Sequence, residues 1–245
     1  MTTPSIAPSQ PEDTGLIAPA WHTVTVLVFL FGVAGLSAWR GAMSPVGGIS
    51  GYGRLANYAT VFVWEWLTVG FIAWGIRGRG HTMSRLIGGN WPGAAAFFRD
   101  LGISILFLLG SAAILGMVQF ALKTKPNEAV RNLVPQTPVE MVVWIGLAAT
   151  AGFCEESIFR GYLQQQLGRM TRNAPAGLVL QSVVFGMCHG YQGWKPMITI
   201  AVFGALFGLL AMQMKSLRPG MLAHFIQDGV SGLAFRWALK KIGNG

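Results

Sequence analysis

Charge is what this chain has least of. Only 11% of its 245 residues are Asp, Glu, Lys or Arg, against about 25% in soluble domains. With 52% hydrophobic residues, that scarcity excludes a water-soluble globule and indicates a polytopic membrane protein. Cysteine is nearly missing too. Cys154 and Cys188 are the whole supply, so no disulfide framework is expected. The net charge of +9 does not indicate nucleic acid, because Lys and Arg are scattered through short loops in the manner of topology signals. They divide almost evenly between the two sides of the expected spans, so they set no orientation. Residues 1–20 lack a basic n-region, so no cleaved signal peptide is expected. Internal repeats are absent as well.

Long apolar runs are what the chain does have. Residues 1–20 are rich in Pro, Ser and Thr and read as a disordered polar tail. Trp21–Trp39 reads as a first span, Asn57–Ile76 as a second with Glu65 in its middle, and Leu101–Leu122 as a third. Between the first two, Gly41–Gly53 reads as a glycine-rich loop. Lys123–Pro138 reads as a polar, proline-punctuated loop. Val139 opens a fourth helix. Its apolar part alone is too short for a bilayer, which needs about 20 residues. Carried through Gln164–Gln166 to Met170 it is long enough, with Glu155 near its middle. Ala174–Tyr191, Pro196–Met214 and Pro219–Leu239 complete the set. The expectation is an all-α, multi-pass bundle in the cell membrane with about seven spans, or eight if residues 80–100 insert. Residues 21–138 supply the N-terminal helices, and residues 139–245 a catalytic core with its site in a cavity between the fourth, fifth and seventh helices.

The stretch Ala151–Leu163, AGFCEESIFRGYL, concentrates chemistry inside an apolar helix. Arg160 follows Glu156 by one turn, so the two can pair on one face. Glu155 points about 100° away and is not neutralised by the same partner. Intramembrane ionisable residues are costly and mark functional sites by default. Two readings stand open: a Glu156–Arg160 clamp between helices with Glu155 facing a wet crevice, or the same clamp holding the helix still while Glu155 moves protons.

Two other helices carry polar groups at one-turn spacing. Phe185 and His189 are four apart, as are His224 and Asp228, so each pair can share a helical face. Two histidines and a carboxylate converging from three helices can ligate a divalent metal such as zinc through Glu155, His189 and His224. They can equally form a metal-free site, where a glutamate deprotonates water and histidines stabilise an oxyanion. In either case Arg160 orients Glu156, and Asp228 orients His224. Depth is the difficulty, because straight helices put His189 and His224 at different levels. Gly190, Gly193 and Pro196 allow a broken helix that removes it.

The order Glu155-Glu156-x-x-x-Arg160, Phe185-x-x-x-His189 and His224-x-x-x-Asp228 resembles the CPBP family of intramembrane proteases, which includes the type II CAAX prenyl endopeptidases and the bacterial Abi proteins. The Phe159-Arg160-Gly161 continuation also fits. The resemblance covers about residues 145–235. It implies Glu155 as general base, His189 and His224 as catalytic or ligand residues, and Asp228 as their partner. Family members often carry Asn at the last position. Asp228 keeps the acceptor and adds a charge.

The expected function is therefore an integral-membrane endopeptidase acting on a peptide or protein substrate, prenylated or membrane-embedded. The catalytic set is Glu155, Glu156, His189, His224 and Asp228, with Arg160 and Phe185 in support. The competing class is a non-catalytic immunity or scaffold protein that binds a peptide in the same cavity. A proton-coupled transporter also suits buried carboxylates, but the lack of inverted repeats argues against it. Cys154 and Cys188 read as small packing residues, and Glu65 as a structural partner of an arginine or a cavity-lining group. Gly204, Gly208 and Ala211 read as a close-packing stripe.

Overall fold

The computed structural model describes residues 15–43, 53–124 and 132–243. Most of the expected tail, the centre of the glycine-rich loop and residues 125–131 of the polar loop lie outside these. The regular structure among the described residues is helical. In chain order it comprises α1 (Ala20–Met43), α2 (Gly53–Arg77), the short α3 (Met83–Ile87), α4 (Ala94–Ala121) and α5 (Pro138–Glu155). Helix α5 continues through a π-helical stretch, Glu156–Leu163, into α6 (Gln164–Met170). Then follow α7 (Ala174–Cys188), a 3₁₀ turn (Gly190–Gln192), α8 (Trp194–Met214) and α9 (Arg218–Gly243).

Local signals account for the ends. Thr137 and Glu140 form a reciprocal capping box with Pro138 in the first turn of α5. Asn173 caps α7 by accepting from the Ala176 amide. The single long helix expected from Val139 to Met170 is present as α5–α6, but its middle is π-helical rather than α-helical. A π turn is locally unfavourable and recurs at functional sites. Here the side chains of Glu156, Arg160 and Tyr162 each meet a partner on another helix, and those contacts hold it.

Five helices are long and apolar enough to cross a membrane: Ala20–Trp39, Gly53–Arg77, Ala94–Ala121, Pro138–Met170 and Trp194–Met214. The sequence led us to expect seven. Helix α7 has 15 residues, roughly 22 Å at 1.5 Å per residue, short of a hydrocarbon core about 30 Å thick. Helix α9 is long, but Arg218, Asp228, Arg236, Lys240 and Lys241 make it too polar to qualify. Residues 80–100 hold only α3, loops and the start of α4, so no eighth span lies there. Outward-facing Leu106, Leu109, Met117 and Phe120 on α4 present the surface that lipid requires.

Close approach of backbones assembles the bundle. A Cβ on Gly152 of α5 would stand 2.8 Å from the Met221 carbonyl of α9, and one on Gly208 of α8 would stand 2.5 Å from Leu178 of α7. The small-residue stripe expected on Gly204 and Gly208 thus does pack against a neighbour.

The last residues of the expected tail are a correction. Ile17 and Ala18 are buried, because Gln166 treats them as a strand would. Its Oε1 accepts from the Ile17 and Ala18 amides, and its Nε2 donates to the Ala18 carbonyl and to Thr23 Oγ1. The chain of donors then continues inward. Thr23 Oγ1 lies 3.0 Å from Tyr162 Oη, and Tyr162 Oη 2.8 Å from His22 Nδ1. His22 Nε2 donates to the Phe71 carbonyl at 3.0 Å. A carbonyl can only accept, so Nδ1 is the acceptor and Tyr162 donates to it. His22 is thus a buried joint between α1, α2 and the π stretch. We expect Gln166→Ala to strand two buried amides and to cost about 2–4 kcal/mol. Thermal unfolding in detergent checks this, and an unchanged midpoint would refute the clamp.

Candidate active site

The site grows from one turn of the α5–α6 helix. Glu156 and Arg160 are fully buried, with Nη1 3.0 Å from Oε1. The contact is close but out of line for a hydrogen bond, since Arg160 Nη1 has no hydrogen-bond partner among the described residues. Its guanidinium lies on aromatic faces instead, 4.3 Å from the Phe185 ring centroid and 5.3 Å from that of Phe207. Such stacking suits a planar, weakly hydrated cation. Phe159 packs edge-on against Phe185.

The same Oε1 of Glu156 lies 3.0 Å from His224 Nδ1. Gly220, one turn before His224, makes this reach short, because a Cβ there would come within 3.2 Å of Glu156 Oε2. Phe203 and Phe207 pack edge-on around the imidazole. A glutamate paired with Arg160 accepts, so Nδ1 carries the proton and Nε2 faces the rest of the cluster. Nε2 is 3.6 Å from Glu155 Oε2 and 3.6 Å from Asp228 Oδ2. Sequence spacing pointed to Asp228 as the orienting partner of His224. The shorter contact is with Glu156, across helices, which no spacing within one helix could reveal.

Exposure separates the two glutamates. The Glu156 side chain is 1% exposed and Glu155 19%, so only Glu155 is open to an incoming molecule. Asp228 is more open still, at 36%.

His189 is the C-cap of α7, because the helix stops at Cys188 rather than at Tyr191. Gly193, at φ +98°, turns the chain into α8. His189 Nδ1 donates to the Phe185 carbonyl at 2.9 Å, which leaves Nε2 as the reactive nitrogen. His189 lies within electrostatic range of Asp228, but it makes no ion pair with Glu155 and no hydrogen bond to His224 among the described residues. Phe185 thus has two tasks: its ring seats Arg160 and its carbonyl orients His189. Cys154 is buried in the apolar core and Cys188 packs against it.

Glu65 lies beside the acidic cluster rather than against an arginine. It is buried in α2, and its electrostatic neighbours are Glu155, His224 and Asp228. No arginine pairs with it among the described residues. A lone carboxylate in the middle of a span was the available signal.

Metal binding can be tested on the donor set. Among the described residues, no three His, Cys, Asp or Glu side chains are grouped so as to hold an ion. Of the expected zinc set, Glu155 and His224 lie 3.6 Å apart, whereas the hydrogen bond of His189 is to the Phe185 carbonyl. The two cavities of note also lie elsewhere. One, of about 530 Å³, is lined by Arg85, Arg160, Gln164 and Lys215, and the other, of about 1140 Å³, by Gln165, Arg169 and Met212. Neither includes Glu155, His189, His224 or Asp228. The acidic cluster draws on α2, α5 and α9, and its Glu155 and Asp228 side chains are part-exposed.

Residues 137–230 match the family described as type II CAAX prenyl endopeptidase Rce1-like. The match supports a likeness of this segment to the CPBP proteases. Every member of the Glu155–Glu156–His189–His224–Asp228 set falls inside the matched segment, whereas Glu65 falls outside it. No curated protein and no solved structure matches the chain.

The clamp gives the site a measurable signature. Arg160→Met leaves the buried Glu156 with only the His224 imidazole beside it, and we expect a loss of about 3–5 kcal/mol in unfolding free energy. Adding Glu156→Gln to that variant should restore much of it. Equal losses in the single and double variants would show that the pair is not coupled.

Proposed function

We propose that this protein is an integral-membrane endopeptidase of the CAAX prenyl protease type, hydrolysing a peptide bond at or within the membrane with a glutamate-activated water. The observation that carries this reading is the asymmetry of the glutamate pair. Glu156 is sealed against Arg160 and fixes His224, while Glu155 meets the far nitrogen of the same imidazole and is open.

The chemistry follows from those roles. Water hydrogen-bonded to Glu155 gives up a proton to the carboxylate as its oxygen attacks the scissile carbonyl. The carbonyl π pair moves to oxygen, and a protonated His224 donates from Nε2 to that oxyanion. Collapse of the tetrahedral intermediate breaks the C–N bond, and Glu155 returns its proton to the leaving amine. Glu156 holds the imidazole's orientation throughout, as carboxylates do for catalytic histidines. His189, oriented through Nδ1 by the Phe185 carbonyl, offers Nε2 to water or substrate in this reading. This route uses no metal, since no group of three His, Cys, Asp or Glu side chains that could hold an ion occurs among the described residues, and the chelator arm of the test decides between it and a zinc-assisted one. The substrate is a peptide or protein that reaches the acidic cluster in extended form, prenylated or membrane-embedded.

The test uses purified wild type and Glu155→Gln with a fluorogenic farnesylated CAAX peptide, with and without a chelator. We expect the substitution to lower kcat by about 10²–10⁴-fold and the chelator to leave the wild type unchanged. Undiminished cleavage by Glu155→Gln would overturn the assignment. Loss of wild-type activity with the chelator, restored by zinc, would overturn the metal-free route alone. Peptide binding without cleavage by either protein would point to the scaffold class.

A further inference from the structure

We propose that Glu65 is a positioning residue of this site, contributed by the N-terminal helices and hydrogen-bonded to the attacking water opposite Glu155. The inference rests on the peptidase reading above and extends it beyond the matched segment.

Glu65 is the sole Asp, Glu, Lys or Arg of α2 between Arg54 and Arg77. Its neighbours Val63, Trp64, Trp66 and Leu67 face outward, while Glu65 is 9% exposed and faces the bundle. Two aromatic pairs fix its level. Tyr58 packs on Trp144 with ring centroids 5.6 Å apart, and Trp66 stacks on Phe153 at 5.5 Å. Eight residues along α2 thus match nine along α5, so the two helices run parallel. Glu65 comes level with the turn that carries Glu155. The charged and titratable groups within its electrostatic range are Glu155, Asp228, His224 and the Cys154 thiol.

A structural carboxylate inside a membrane bundle needs a cation or a set of donors. Glu156 has both, in Arg160 and His224. Glu65 has no ion pair among the described residues, and its Oε2, like the Oε2 of Glu156, is buried with no hydrogen-bond partner there. A group held at such expense, aimed at the most accessible carboxylates of the site, has a ligand that is not part of the protein.

Water is the ligand that the chemistry requires. It has two O–H bonds. Glu155 takes the proton of one. An acceptor for the other fixes rotation about the first and turns the oxygen lone pair toward the scissile carbon. Glu65 Oε2 is that acceptor. No bond is made or broken at Glu65, and it neither gains nor loses a proton in the cycle.

The test compares wild type, Glu65→Gln and Glu65→Leu with Glu155→Gln in one preparation. Leucine removes the acceptor, and glutamine keeps a carbonyl. We expect kcat of Glu65→Leu to fall by about 10–100-fold with KM within about twofold, and Glu65→Gln to recover several-fold. The melting temperature of Glu65→Leu should equal or exceed that of the wild type, since an unpartnered buried carboxyl is removed. Full cleavage by Glu65→Leu overturns the proposal, and so does a lower melting temperature in that variant, which would mark a structural role. If Glu155→Gln is inactive and Glu65→Leu is not, only the Glu65 role falls. If the wild type cleaves nothing, the peptidase reading falls and the melting temperature still decides whether Glu65 is structural.

Discussion

The buried contact of Glu156 with Arg160 is the constraint around which this structure is arranged. Two opposite charges in a low-dielectric interior attract strongly, but each loses its hydration, and the balance is favourable only where the surroundings supply what water did. Three features offset part of that cost, while Glu156 Oε2 and the guanidinium nitrogens keep no hydrogen-bond partner among the described residues. Phe185 and Phe207 cover the guanidinium with ring faces. His224 takes up the remaining capacity of Glu156 Oε1. The π-helical stretch sets Glu156, Arg160 and Tyr162 toward different neighbours within two turns. Each feature brings a helix with it. Phe185 comes from α7, Phe207 from α8 and His224 from α9, so neutralising one arginine also assembles the bundle.

A second polar network lies on the other side of the π stretch and works by different means. Gln166, Thr23, Tyr162 and His22 form an uncharged chain of donors and acceptors that ends on the Phe71 carbonyl. Every link is neutral and satisfied, so it ties α1 and α2 to the core without the desolvation cost of an ion. The π stretch is therefore gripped from both sides, by charge on one and by directed hydrogen bonds on the other. Glu155, just before it, inherits that rigidity while keeping its own carboxylate open, which is how a reacting group is best supported.

What could be read in the sequence was what lies within one helix. The Glu156–Arg160 pair follows from four-residue spacing, and the α5–α6 helix follows from the length a bilayer demands. The end of α7 was foreshadowed by Gly190 and Gly193, though the exact stop was not. The unreadable parts depend on two helices at once. Asp228 was the obvious partner for His224, because both lie on α9. Glu156 is the closer one, because Gly152 and Gly220 let α5 and α9 approach. Glu65 sits in a helix with no motif around it, and only the α2–α5 register puts it near Glu155. The π stretch could not be foreseen from propensity, since tertiary contacts override it. Ile17 and Ala18 look like tail residues until Gln166, 149 and 148 positions away, is seen to hold them.

Accessibility across the acidic residues gives the site a direction. The side chains of Glu156, Glu155 and Asp228 are 1%, 19% and 36% exposed, which makes a floor, a working level and a mouth. Two part-exposed carboxylates cannot face lipid tails without a large penalty. The acidic cluster must therefore face water or the headgroup region, even though α4 and much of α2 present apolar surface around it. Hydrolysis demands the same thing, because water is both solvent and reagent. An extended peptide entering past Asp228 would displace bulk water and keep only what Glu155 and its neighbours hold. On the proposed peptidase reading, that divides the work between the more exposed Asp228, where substrate would enter, and the buried Glu156, which holds the imidazole. The dryness of Glu156 and the wetness of Asp228 are then two ends of one gradient, with Glu155 where they meet.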